Sequence, residues 1–317
     1  MGIGVAGFGV AFGQAESLAV LKCFMDAGGN IIDTANVYMN WDARAPERAS
    51  SEKALGRLFR ANPGLRDKLI VCTKGAHYEM ADPAMTPRVN EGCITYDIDD
   101  SLKNLGIERI DLYWLHRDNP TYPISLIMDA LFEAQDAGKI AHYGASNWSA
   151  ARVAEAGAYA RSRGREGFFG SQIQFSYVFP LEPDAPSTRY FDEELDGGTY
   201  LAENVALFSY TSQAKGYMTK LLNGAPLNSN ITRLFDCSAN RERTRRAAEV
   251  ARQAGRGVEH VGLAYLHALP YNVVTLVSCS SLEQLKNSMD CDMELTPEQI
   301  KYLCADGAAP PERKPQP

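Results

Sequence analysis

Several features are scarce in this chain, and each scarcity removes a class of function. Cysteine occurs seven times, an odd number, and never as C-x-x-C or C-x-x-H. That spacing argues against a metal site or a disulfide framework, and sulfurs set in apolar patterns point to reduced core thiols. Basic residues do not dominate: 32 Lys and Arg stand against 39 Asp and Glu, for a net charge of −7 and a pI near 5.4. A polyanion such as nucleic acid therefore has little to bind. The one basic cluster, Arg241-Glu242-Arg243-Thr244-Arg245-Arg246, is interrupted by an acid and reads as a solvated helix face, or as a place for a phosphate. Nothing approaches the roughly 18 consecutive apolar residues of a membrane span. No basic segment precedes an apolar core at the N-terminus, so a cytoplasmic protein is expected. No G-x-G-x-x-G follows a strand with an acid about 20 residues on, which leaves a Rossmann module unsupported.

What the chain does contain is a repeated pattern of apolar runs closed by one ionisable residue. Asn30-Ile31-Ile32-Asp33 ends in an acid after the Gly28-Gly29 turn, and Tyr38 follows in the loop. Leu69 to Thr73 runs into Lys74, and Ile110 to Leu115 runs into His116. A charged group at the end of a strand that otherwise reads as core has no packing reason to be there. In parallel α/β barrels, that end of the strand is where catalytic groups collect.

Strands are expected at about 3–8, 30–34, 69–73, 110–115, 140–144, 170–175, 204–209 and 273–277. Helices are expected at about 16–27, 51–61, 95–105, 124–137, 149–161, 242–254 and 258–268. Eight strands alternating with helices predict one parallel (β/α)8 barrel over 1–307, with a Pro-rich tail at 308–317 expected to be disordered. The 317 residues suffice for such a barrel of roughly 250 residues plus insertions. The steps from Asp33 to Lys74 and from Lys74 to His116 both exceed the roughly 31 residues that each unit needs. The surplus falls at 39–50 and 76–92, with another long connection at 180–199, and long loops of this kind are read as walls of a pocket.

Asp33, Tyr38, Lys74 and His116, carried in D-T-A-x-x-Y, T-K and L-H, match the catalytic pattern of the aldo-keto reductase superfamily. Gly144-Ala145-Ser146-Asn147-Trp148, Gln172 within Ser171 to Phe175, and Ser280-Ser281-Leu282-Glu283-Gln284-Leu285 continue the resemblance in family order over nearly the whole chain. Relatives usually carry a β-hairpin that plugs the barrel floor ahead of the first strand. Here Gly2 to Phe8 looks like that strand itself, so the hairpin is missing, and a start upstream of Met1 is the expected reason.

The resemblance implies reversible, NAD(P)H-dependent reduction of an aldehyde or ketone. Tyr38 would be the proton donor, Lys74 and Asp33 the pair that tunes it, and His116 the group that orients the carbonyl. The chemistry is sensible: a phenol with a pKa of about 10 needs a nearby cation to act as an acid near neutrality. Ser146, Asn147 and Gln172 would hydrogen-bond the cofactor carboxamide and Tyr210 would stack on its ring. Ser146 and Asn147 also read as a helix cap. Where the family commonly has Ser-Pro-Leu after this tyrosine, the chain has Thr211-Ser212-Gln213 and then Lys215-Gly216, so the pyrophosphate contacts are rebuilt. At the adenosine end stand Ser278, Ser280, Gln284, Asn287 and Ser288. No cation is evident there for a 2′-phosphate, which favours a bidentate arginine. NADPH is accordingly expected only slightly ahead of NADH.

The loop residues Trp41, Trp148, Tyr78, Phe179 and Tyr190, beside Asp42, Arg44, Arg117 and Asp118, suit a small-molecule carbonyl, with a sugar-derived or small aldehyde expected. His77 is placed to reach the pocket mouth. Two other functions compete. One is a non-catalytic nucleotide-binding subunit of the potassium-channel β-subunit type. The other is a Schiff-base lyase using Lys74, which Asp33 opposes by holding the amine protonated.

Overall fold

The structure is a computed structural model that describes residues 1–305, 313, 314 and 316. Eight parallel strands close on themselves in sequence order. They are β1 (Gly2–Gly4), β2 (Ile31–Asp33), β3 (Ile70–Gly75), β4 (Ile110–Leu115), β5 (Ile140–Ser146), β6 (Gly170–Gln174), β7 (Ala206–Tyr210) and β8 (Val273–Val277). The helices α1 (Gln14–Asp26), α2 (Ser50–Ala61), α3 (Glu91–Leu105), α4 (Ile124–Asp136), α5 (Ala150–Ser162) and α6 (Glu193–Ala202) alternate with the first seven strands. Between β7 and β8 run α7 (Tyr217–Leu222), α8 (Ser229–Phe235), α9 (Ser238–Ala254) and α10 (Val258–His267). After β8 come α11 (Leu282–Met289) and α12 (Pro297–Cys304). This is the (β/α)8 barrel that the alternation of patterns predicts.

Strand side chains alternate between the barrel interior and the helix layer. The interior is filled by Cys72, Leu112, Trp114, Phe208 and Leu276, with Ile31 packed against them. Trp114 is fully buried and meets Phe208 edge-on at a centroid distance of 4.8 Å. A Cβ on Gly144 would come within 2.4 Å of the Trp114 ring, so β5 needs a glycine there for the indole to fit. Truncating such a residue costs about 3–5 kcal/mol. One interior step further along the same strands stand Asp33 after Ile31, Lys74 after Cys72, His116 after Trp114, and Tyr210 after Phe208. The period of two thus lifts each polar residue out of a packed layer and onto the rim.

The elements depart from the sequence expectation in several places. β1 ends at Gly4 rather than at Phe8: Val5 N makes the last bond to β2, to Asp33 O (2.9 Å), and the chain then turns on its own backbone bonds from Val5 to Phe12. α3 starts at Glu91, before the expected position, since the Asn90 side chain accepts from Cys93 N. α6 occupies part of the stretch read as a long connection, and Asp192 caps it by accepting from Glu194 N and Leu195 N. Its Gly197 makes room for Tyr271, whose hydroxyl would lie 2.2 Å from an added Cβ. Arg243 and Arg246 do not belong to a solvated face. Both are buried, and Arg243 lies over the rings of Tyr177 (4.1 Å) and Phe179 (4.2 Å). Only Cys72 among the seven free cysteines is a buried thiol; Cys304 is exposed and the others are partly buried.

Most of the expected disordered tail, 308–312, 315 and 317, lies outside the described residues. Of the rest, Arg313 pairs with Asp192, and Lys314 N donates to Leu181 O (3.0 Å). Among the described residues, no helix is long and apolar enough to cross a membrane.

Candidate active site

The rim at the carboxyl ends of the strands gathers the four candidate catalytic residues into one connected group. Lys74 Nζ donates to Asp33 Oδ2 (2.5 Å), to Thr34 O (2.8 Å) and to the Tyr38 hydroxyl (2.9 Å). The loop carrying Tyr38 is fixed to β3 by Thr34 N to Cys72 O and Asn36 N to Lys74 O, both 2.9 Å. It is fixed to α2 by the Thr34–Ser51 hydroxyl contact (2.8 Å). His116 N donates to Gly75 O (2.9 Å), which seats the imidazole next to Tyr38 at a ring distance of 5.8 Å. His77, expected at the pocket mouth, packs edge-on against His116 at 4.7 Å.

The electrostatics of this group follow from its burial. Desolvation raises the Tyr38 pKa, and the Lys74 charge, which works downward, does not reverse it. This differs from the expectation of a phenol made acidic by its lysine: Tyr38 stays protonated at neutral pH. Burial works against the Lys74 ammonium, yet Asp33 and then Tyr38 outweigh it and leave the lysine above its ordinary value. His116 is pushed well below the usual imidazole range, first by burial and then by the charges of Arg117, His77 and Lys74. His77 falls to about 4, mainly through burial. Both imidazoles are therefore neutral at pH 7. A charged amine of this kind cannot attack a carbonyl, so Schiff-base chemistry at Lys74 is disfavoured.

The residues expected to hold a cofactor fall into two groups. At the centre, Gln172 Nε2 donates to Asp33 Oδ1 (2.8 Å), which ties it to the Asp33–Lys74 pair. Asn147, with φ at 62°, donates to Ser146 Oγ (3.0 Å) and accepts from the Tyr210 hydroxyl (2.8 Å). The second group lines a cavity of about 560 Å³ between the ends of β7 and β8: Thr211, Gln213, Lys215, Gly216, Ser278, Ser280, Gln284, Asn287 and Ser288. Two links hold that wall together, Gln213 to Ser288 (3.2 Å) and Ser280 Oγ to Gln284 Oε1 (2.7 Å). Thr211, Ala214, Lys215 and Gly216 are all left-handed, with φ between 48° and 75°. Such backbone costs energy in residues other than glycine and forms amide concavities that bind anions.

Two orphaned polar groups also wait at the rim: the His116 Nδ1 and both amide atoms of Gln174, all buried without a partner. Gln174 escaped the sequence reading, although its place one interior step after Gln172 marked it. Together the cavity, the anion-binding backbone and the orphaned donors fit a nicotinamide nucleotide. Lys220 and Glu259 line the same cavity and were also missed. Glu259 accepts from Asn287 Nδ2 (2.7 Å), and the only sequence signal was an acid in the first turn of α10.

The two tryptophans expected in the substrate pocket separate. Trp41 is 50% exposed and its ring stands edge-on to Tyr38 at 6.0 Å, so it borders the site. Trp148 is fully buried and offers no face to a ligand. Instead its indole donates to Arg117 O (2.9 Å) and packs on Phe168, which makes it a support for the loop after β4.

A family model described as the Aldo/keto reductase family matches residues 1–305. The chain is 27% identical over 321 residues to L-glyceraldehyde 3-phosphate reductase of Escherichia coli, covering 93% of this chain and 87% of that protein. It is 29% identical over 296 residues to norsolorinic acid reductase stcV of Emericella nidulans, covering 90% and 70%.

Proposed function

The chain belongs to the aldo/keto reductase family, and from that premise we propose that it reversibly reduces an aldehyde or ketone to an alcohol with NADPH or NADH as partner. The observation that supports this most is the unbroken chain of contacts Gln172–Asp33–Lys74–Tyr38 beside His116. When bound, the nicotinamide supplies the hydride for the carbonyl carbon.

The protein's own residues do the rest. The Tyr38 phenol, kept protonated by burial, gives its proton to the carbonyl oxygen as negative charge develops there. Lys74, kept charged by Asp33, limits the cost of the phenolate left behind. His116, neutral, donates a hydrogen bond to the same oxygen and fixes its direction. Ser146, Asn147, Gln172 and Gln174 would hold the carboxamide end, Tyr210 the ring face, and the cavity at 211–216 and 278–288 the phosphates and adenosine.

We place NADPH slightly ahead of NADH, because Lys220 lines the cavity beside Lys215, which already pairs with Asp184, while Glu259 opposes extra negative charge. The substrate we propose is a sugar-derived or small aldehyde; one relative is named for L-glyceraldehyde 3-phosphate and the other for norsolorinic acid, so the family leaves this choice open. The test is nucleotide oxidation by the purified protein over a panel of aldehydes and ketones with each nucleotide. No turnover across the panel, despite nucleotide binding, refutes the proposal in favour of a binding subunit. Turnover of bulky apolar ketones alone refutes the substrate class.

A further inference from the structure

We propose that the substrate carries an anionic group, a carboxylate or a phosphate, and that Arg117 holds it; the inference rests on the reductase reading and narrows its substrate. Arg117 directly follows His116 and is half-buried at the rim. Its guanidinium makes two hydrogen bonds to neutral acceptors, from Nε to Ser187 Oγ (3.1 Å) and from Nη1 to His116 O (2.8 Å). Burial works against its charge and leaves it below the ordinary arginine value; the side chains set against it that favour the charge, Tyr210, Tyr78 and Tyr38, are phenols and not carboxylates.

No carboxylate among the described residues forms an ion pair with it, and the acids nearby are already engaged. Asp118 pairs with Arg152 (3.3 Å), Asp184 with Lys215 (2.9 Å), Asp42 with Arg44 (2.6 Å) and Asp33 with Lys74 (2.5 Å). With His77 and His116 neutral, the charges that act on Tyr38 among the described residues are the cations Lys74 and Arg117 and the carboxylate of Asp33. A guanidinium withdrawn from water without a counter-charge is costly, so the position calls for an anion supplied from outside. The planar fork has donors to spare and matches a carboxylate or phosphate in two-point contact.

The phosphates of a nucleotide cannot fill this role from the cleft they fit. That cleft lies at β7 and β8, whereas Arg117 follows β4, which faces β8 across the closed barrel. Nor does the overall charge of −7 draw anions to the molecule.

The test compares matched pairs: 4-carboxybenzaldehyde with 4-formylbenzamide, and glyceraldehyde 3-phosphate with glyceraldehyde. Wild type, Arg117→Gln and Arg117→Lys are each assayed, with NADPH titration to report folding. In wild type, kcat/KM for at least one anionic member should exceed its neutral partner by about thirtyfold, chiefly through KM. In Arg117→Gln the ratio should collapse to within about threefold, and Arg117→Lys should fall between. Which pair responds identifies carboxylate or phosphate as the group recognised. A wild-type ratio near one overturns the proposal. So does an equal loss on both members of a pair in Arg117→Gln, which would mean that the arginine acts through Tyr38. If wild type reduces none of the four compounds, the reductase reading fails separately. Calorimetric binding of benzoate and inorganic phosphate then decides the anion site: binding lost in Arg117→Gln sustains it, and no binding to wild type refutes it.

Discussion

Lys74 Nζ lies 2.9 Å from the Tyr38 hydroxyl and 4.6 Å from the centroid of the same ring, so one ammonium serves both the oxygen and the π face. Removing the oxygen alone should preserve the ring, its packing and its cation contact. Tyr38→Phe is therefore expected to bind nucleotide as wild type does, while turnover of a reduced aldehyde falls by about 10²–10⁴-fold. Fluorescence titration alongside steady-state rates checks this. Turnover within tenfold of wild type would remove Tyr38 from the chemistry.

The Asp33–Lys74 pair is fully enclosed, and its stability effect should be strongly non-additive. Lys74→Met leaves a buried carboxylate facing only the Gln172 amide, a loss of about 3–5 kcal/mol in such pairs. Asp33→Asn strands the ammonium in the same way. The double variant removes both charges, and its urea midpoint is expected above that of either single variant. A double variant less stable than both would mean that the pair, and not its burial, carries the stability.

Much of this site was legible because it follows a rule that acts along the chain. A strand's period of two, applied to Cys72–Lys74 or Trp114–His116, carries the interior face from packing to rim without tertiary knowledge. Tertiary packing decided the rest. Trp148 looks like a pocket wall until the indole is seen buried against Phe168 and bonded to Arg117 O. Arg243 looks solvated until Tyr177 and Phe179 close over it. α6 starts inside the stretch read as a long connection, although Asp192 and three acids in the first turn marked a helix start. The direction of the Tyr38 shift depends on how far burial outweighs one lysine, a balance that no spacing reveals.

The nucleotide preference should be small and adjustable at one residue. Glu259 sits in the wall of the 211–288 cavity, bonded to Asn287 and Thr219, and its charge opposes a 2′-phosphate. Affinities for NADPH and NADH are expected within about tenfold of each other. Glu259→Gln keeps the shape while removing the charge, and should raise the NADPH-to-NADH affinity ratio by about three- to tenfold. Competitive titration measures both; an unchanged ratio would show that the acid does not face the adenosine end.

Glu52 offers a separate test through stability and pH. It is fully buried at the start of α2, accepting from Thr73 Oγ1 (2.5 Å) and Asn104 Nδ2 (3.0 Å), directly behind the strand that carries Lys74. Burial raises its pKa from 4.5 to about 7, against the opposing effect of those hydrogen bonds, while the neighbouring Asp100 adds to the rise. Between pH 4.5 and 7 the folded protein therefore keeps a proton that the unfolded chain has released. Stability linked to this group is complete below 4.5 and is lost as pH rises through 7, by roughly 3 kcal/mol at the upper limit. Glu52→Gln cannot titrate, so the wild-type advantage over this variant should shrink steadily across that window in urea unfolding. Parallel stability curves from pH 4.5 to 8 would mean that Glu52 titrates at the same pH folded and unfolded. Its bonds to Thr73 and Asn104 would then fully offset the cost of burying its charge.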